Sequence, residues 1–207
     1  MEERLPLNRL EAFSDGVFAI AITLLVLELS LDDDAGEHLL RSILEEWPAY
    51  LAYVTSFLTI GFIWLQHSAI TSALERADGT LYRLNLLVLL LTSFLPFPTK
   101  LTAEFAGERD PERIAVIFYG LTLMALTFAL TAFVRYAAEN RRLVHDRVEA
   151  ETVEAALAHQ PSFLFYGAGM LVALFLPTTG MVVYLVIAVY LGVPGRTIHR
   201  LLWGWRR

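Results

Sequence analysis

The 207-residue chain has no cysteine and little charge: 18% of its residues are Asp, Glu, Lys or Arg, and 56% are apolar. Without cysteine there is no disulfide framework, no thiolate zinc or iron–sulfur site and no thiol chemistry. A soluble domain is ordinarily about 25% charged and about 45–50% apolar. The scarcity of charge, with a mean hydropathy of +0.53, therefore points to lipid. Basic residues are in deficit as well, giving a formal net charge of −6. That argues against nucleic acid as a partner, since its binders carry a basic face. His-Glu-x-x-His, Gly-x-Ser-x-Gly and Walker sequences are also missing. An enzyme is not expected, nor is a cofactor or a resident metal.

What the chain does have is long uncharged runs. A bilayer core about 30 Å thick needs roughly 20 apolar helical residues. Residues 47–74, 84–99 and 114–134 contain no Asp, Glu, Lys or Arg. Residues 155–195 are equally free of them but too long for one span, and Pro177-Thr178-Thr179-Gly180 predicts a break there. The first apolar stretch, 10–31, retains Glu11, Asp15 and Glu28. Its acidic flank and the lack of a small-residue cleavage site set it apart from a signal peptide. The expectation is an all-α membrane protein, one transmembrane domain over residues 1–207. Its six spans fall at about 10–31, 48–70, 82–101, 113–135, 161–176 and 179–194. Lys and Arg divide 12 to 4 between the two sets of loops, which predicts cytoplasmic termini.

Between the spans, Leu39, Leu40, Ile43 and Leu44 share one helical face within an otherwise acidic loop, predicting a short amphipathic helix. Asp110-Pro111-Glu112 reads as an N-cap followed by Pro in the first helical turn. Residues 136–160 are expected to extend span four as an exposed helix before the chain turns back.

A charge inside a span costs about 2.5–3.5 kcal/mol on insertion scales, so such residues usually face a bundle interior. Arg9, Asp15, Glu28 and His67, with Asn85 as polar companion, are the candidates. Because successive spans alternate in direction, Arg9, Asp15, His67 and Asn85 all fall near the cytoplasmic ends of spans one to three. The competing explanation is that each snorkels to the lipid interface.

The surrounding sequence carries a family resemblance. Arg9-Leu10-Glu11-Ala12-Phe13-Ser14-Asp15 resembles the Arg-x-x-x-Phe-Ser-Asp signature of the endolysosomal potassium channels of the transmembrane protein 175 type and their bacterial relatives. Trp64-Leu65-Gln66-His67, and Asn85-Leu86-Leu87 running to Ser93-Phe94-Leu95-Pro96-Phe97-Pro98-Thr99, fit as well. The resemblance implies a potassium-permeable cation channel of the bacterial plasma membrane, passing K+ passively. It implies a homotetramer with span one of each subunit lining a central pore. It further implies that Arg9, Phe13, Ser14, Asp15, Trp64, His67 and Asn85 hold that helix in place, and that the apolar constriction lies at Ile20.

A helical wheel puts Ile20, Thr23, Leu24, Leu27 and Leu31 on one stripe, with Asp15 about 140° from Ile20. An apolar stripe equally suits packing or lipid. As a pore face, Ile20, Leu24 and Leu27 would gate by dewetting. Thr23, through its hydroxyl and backbone oxygen, would supply a modest potassium preference; the competing explanation is a hydroxyl bonded back to its own helix, which is common and needs no ion. Asp32, Asp33 and Asp34 follow the outer end of span one, either as an acidic ring at the pore mouth or as a solvated loop. The chain has neither a Thr-Val-Gly-Tyr-Gly filter nor an Arg-rich sensor helix. The alternative function is a proton-coupled secondary transporter, with Asp15 and His67 relaying protons and breaks at Pro96 and Pro98.

Overall fold

The computed structural model describes residues 7–30, 38–145 and 163–192. The described elements are helical. They run α1 (Leu7–Leu24) with a 3-10 turn (Leu25–Glu28), α2 (Leu39–Glu45), α3 (Trp47–Thr71), α4 (Gly79–Phe94), α5 (Pro96–Glu104), α6 (Arg109–Glu139) with a 3-10 turn (Arg141–Leu143), α7 (Phe163–Ala173) and α8 (Pro177–Gly192).

Among the described residues, four segments are long and apolar enough to cross a bilayer: Leu7–Glu28, Trp47–Thr71, Gly79–Glu104 and Arg109–Glu139. The described parts of α7 and α8, 11 and 16 residues, are apolar as well.

The third span is not one helix. Pro96 has no N–H to offer the Thr92 carbonyl, which accepts from the Leu95 amide at 3.2 Å instead. Helix α4 therefore stops at Phe94, and α5 restarts with Pro96 at its first position.

Several local expectations are corrected. The segment after span four does not continue as a long helix. The Asn140 amide and side chain both turn back to the Tyr136 carbonyl, ending α6 at Glu139. The chain then folds under the α3–α4 loop, where Val144 pairs with Leu74 and both Leu143 and Val144 are buried. Residues 146–160 of that predicted helix lie outside the described residues, as do Asp32, Asp33 and Asp34.

Asp110 does not cap α6. It pairs with Arg113 at 3.1 Å, while Glu112 turns inward and accepts from the Gly107 amide and the Thr178 hydroxyl. The hairpin break falls at residues 174–176, before the predicted Pro177–Gly180. Pro177 opens α8, because a residue without an N–H suits a first turn. Gly180 then lets the two helices meet: a Cβ there would lie 2.6 Å from that of Ala173. Helix α2 forms as predicted, and Leu39, Leu40, Ile43 and Leu44 on it are exposed.

Helix α6 is the post of the bundle, packed against α3, α4, α5, α7 and α8. Helix α1 is peripheral, touching mainly α3 and α4. Just 28% of the first span is buried, against 56% of the fourth.

The loop under α4 is pinned by Asp78. Its carboxylate caps α4 by accepting from the Leu81 amide, and also accepts from the Tyr136 hydroxyl at 2.8 Å and the Arg142 guanidinium at 3.1 Å. Burial pushes this carboxyl's pKa up, but those hydrogen bonds and the Arg142 charge together hold it below the ordinary value. A lowered folded pKa means the stabilisation is complete above the unfolded value of about 3.9 and is lost as pH falls through the folded one. We expect Asp78→Ala to lower the melting temperature in detergent at neutral pH. The gap from the parent protein should close as pH falls below that range, which thermal unfolding over a pH series will measure.

Candidate functional site

The buried side of α1 is one stripe. Leu10, Ser14, Phe18, Ala21 and, in the following turn, Leu25 are spaced three or four apart and fully covered. Four of these are apolar. Ser14 is the exception, and it needs a partner.

The partner is Asn85 on α4. Its amide nitrogen donates to the Ser14 hydroxyl oxygen at 3.0 Å, and its Oδ1 lies 2.6 Å from His67 Nε2 on α3. Since a carboxamide oxygen can only accept, His67 carries its proton on Nε2. The His67 ring is covered by Phe18 of α1, with centroids 5.4 Å apart, and stacks on Phe133 of α6 at 5.2 Å. Ser14, His67 and Asn85 are all buried. Helices α1, α3 and α4 are thus joined through one polar knot roofed by aromatic rings.

Asp15, one residue on, lies outside this knot. It stays exposed and accepts from Trp64 Nε1 on α3 at 2.8 Å. The wheel turned it into its own subunit; in the structure it reaches sideways to a helix of the same chain while facing out. Arg9 and Phe13 are exposed. Among the described residues no hydrogen bond or ion pair links Arg9 to the knot, although its charge is felt at Tyr82 on α4. Of the seven predicted anchors, five make hydrogen bonds between helices: Ser14, Asp15, Trp64, His67 and Asn85. Sequence reasoning missed Phe18 and Phe133. Phe18 was accessible to it, being one turn from Ser14 on the same stripe, whereas Phe133 sits in an unbroken apolar run.

The opposite side of α1 is bare. Ile20 is 61% exposed and Leu27 72%, with Leu24 also exposed. Thr23 shares this face, and its hydroxyl donates to the Ile20 carbonyl at 2.8 Å. The proton is therefore turned inward, which leaves the oxygen lone pairs available to whatever lies outside the helix.

At its far end the 3-10 turn finishes at Glu28, whose Oε2 lies 3.9 Å from Lys100 Nζ on α5. A cavity of about 330 Å³ opens there between α1, α3 and α5, lined in part by Glu28, Ser30, Glu46, Lys100 and Glu104. Among the described residues, no three His, Asp or Glu side chains are placed to hold a metal ion.

Three comparisons bear on this arrangement. The family described as "Endosomal/lysosomal potassium channel TMEM175" matches residues 9–96, a stretch that includes α1, α3 and α4 and every member of the knot except Phe133. A potassium channel of Streptomyces collinus is 40% identical over 149 residues, 72% of this chain and 72% of its own. A potassium channel of Chamaesiphon minutus is 39% identical over 153 residues, 72% and 74% of the respective chains. The crystal structure of a lysosomal potassium-selective channel TMEM175 homologue from Chamaesiphon minutus superposes with a TM-score of 0.80 at 33% identity, covering 92% of this chain and 97% of that one.

Proposed function

The chain belongs to the TMEM175 family of potassium channels, and from that membership and the geometry of α1 we infer that it is a potassium-permeable cation channel whose pore is lined by this helix. Membership of an ion-channel family also sets it apart from enzymes. The observation that carries the finer reading is the two-sidedness of α1: one stripe is locked to its own subunit, and an apolar stripe bearing one threonine is left bare.

A single chain with a peripheral first helix does not enclose a path for ions. Four copies around an axis would, with α1 innermost and the exposed stripe facing the centre. In that arrangement α7 and α8 complete the six spans, both termini are cytoplasmic, and the assembly sits in the plasma membrane. Conduction is passive. Ile20, Leu24 and Leu27 form apolar rings that shed water when narrow, and an ion crosses only when they widen or rehydrate.

Thr23 lies one turn beyond Ile20. Four hydroxyl oxygens with their protons turned to the helix present lone pairs to the axis, replacing part of an ion's hydration. This favours the larger, more weakly hydrated potassium ion. The channel reading also accounts better than a coupled transporter for where the polar groups lie. His67 is buried with its Nε2 on the Asn85 carboxamide, while Asp15 is exposed and bonded to Trp64, so the two do not form a hydrogen-bonded pair among the described residues.

The test is flux from liposomes containing the purified protein. Potassium should run down its gradient without a coupled substrate or a proton gradient, and Thr23→Val should bring the potassium-to-sodium permeability ratio several-fold closer to one. Flux that saturates and stops when the proton gradient is collapsed would remove the channel reading. An unchanged ratio in Thr23→Val would remove Thr23 from the selectivity step.

A further inference from the structure

Glu28 is a charge within the first span that belongs neither to the polar knot nor to the bare stripe. It ends the 3-10 turn Leu25–Glu28, a four-residue piece of tighter helix at the outer end of an otherwise α-helical segment. The turn closes with the Leu29 amide on the Val26 carbonyl at 3.2 Å, a three-residue step. Leu25 is fully buried beneath it, while Val26 and Leu27 face outward.

The winding of this turn decides where Leu27 points. A 3-10 helix advances about 120° per residue, so side chains three apart eclipse and Leu27 stands over Leu24. An α-helix advances about 100° per residue, which would set Leu27 about 60° off that line. The 3-10 form also rises about 2.0 Å per residue rather than 1.5 Å. Rewinding four residues as α-helix would therefore draw the end of the segment in by about 2 Å.

The charged partner beside the extended end is Lys100, the chain's only lysine. It stands on α5, whose Pro96, Pro98, Thr99 and Thr102 are buried against the bundle. Of the carboxylates lining the same cavity, Glu28, Glu46 and Glu104, only Glu28 comes within 4.0 Å of Lys100 among the described residues. At 3.9 Å the pair is already at the limit of contact, so a retraction of about 2 Å would break it.

We propose that Glu28 and Lys100 are a positioning pair that holds the outer end of α1 in its 3-10 form, keeping Leu27 stacked over Leu24 on the pore face. The inference rests on the reading of α1 as the pore-lining helix. Neither residue touches the ion; both act through Leu27. Because the pair is partly solvated, it biases the winding rather than locking it. That suits a segment of a gate.

The absence of native cysteine makes the experiment clean. Leu24→Cys and Leu27→Cys are made one at a time in the full-length channel. Each is reconstituted in liposomes and modified from the outer side with a neutral, water-soluble methanethiosulfonate reagent, so that local charge does not steer the probe. With Lys100→Gln or Glu28→Gln added, the modification rate at Leu27→Cys is expected to change about threefold or more, and that at Leu24→Cys to stay as it was. The exchanged pair, Glu28→Lys with Lys100→Glu, should restore the original rate at Leu27→Cys. An unchanged rate at Leu27→Cys, an equal change at both positions, or no restoration by the exchanged pair overturns the proposal. The pore reading is tested separately: modification of Leu24→Cys should block potassium flux, and flux that persists refutes that reading whatever the rates show.

Discussion

Replacing Ile20 by asparagine is expected to raise potassium flux at least tenfold. The effect is large because an apolar ring excludes ions by expelling water rather than by contact. A carboxamide at that level restores hydrogen-bonding partners for water. Each 1.4 kcal/mol removed from the barrier is a tenfold gain in rate. The substitution should do little to the fold, since Ile20 is exposed within its own chain and contributes no core packing. The comparison is the same change at Val186 on α8, where the side chain is 62% exposed and the helix is not among those α1 mainly packs against. Val186→Asn should leave the flux per channel as it was. Equal flux from Ile20→Asn and the parent would move the constriction elsewhere on the stripe, with Leu24 and Leu27 the next positions to test.

Asn85→Leu should have the opposite profile, a large loss of stability before any question of conduction arises. Its carboxamide serves Ser14 and His67 together. Leucine would leave two buried polar groups without that partner, each costing about 1–3 kcal/mol. Inside a membrane the unfolded reference also finds partners, which reduces the difference; a total of about 2–4 kcal/mol is expected. Ser14→Ala should cost roughly a third as much, since it leaves the contact between His67 and Asn85 in place. Thermal unfolding in detergent, followed by size exclusion, measures both. A melting temperature for Asn85→Leu equal to that of the parent would mean the knot is not what holds α1 to α3 and α4.

The two experiments divide the first helix as the sequence itself divides it. His67 and Asn85 were legible because a polar residue inside an uncharged apolar run stands out and must find a partner at similar depth; Ser14, flanked by Glu11 and Asp15, was legible only through the motif. Three of the four long spans were legible for a related reason: their uncharged runs are about the length that a bilayer requires.

Local geometry was less legible. The break at Leu95 depends on how one carbonyl is re-satisfied beside a proline, and the end of α6 depends on Asn140 competing for the Tyr136 carbonyl. Neither is a matter of hydrophobic pattern. Arg9 belongs to the same motif as Ser14, yet it lies on the exposed side of α1, and a sequence motif does not distinguish a side chain that turns in from one that snorkels. Phe133 resembles any other residue of an apolar run until the His67 ring is seen against it. The proposed pore face is the part that composition leaves open, because an exposed isoleucine and leucine stripe has the same composition whether it meets lipid or an axis.

The bare stripe of α1 has a consequence for how such a protein can change over generations. Ile20, Thr23, Leu24 and Leu27 are exposed within the chain, so its folding places little demand on what occupies them. Substitutions there escape the usual conflict between stability and novelty, and permeation can drift or be selected while the scaffold behind it stays intact. In a fourfold assembly each such substitution also appears four times at one level, so a single codon change alters an entire ring.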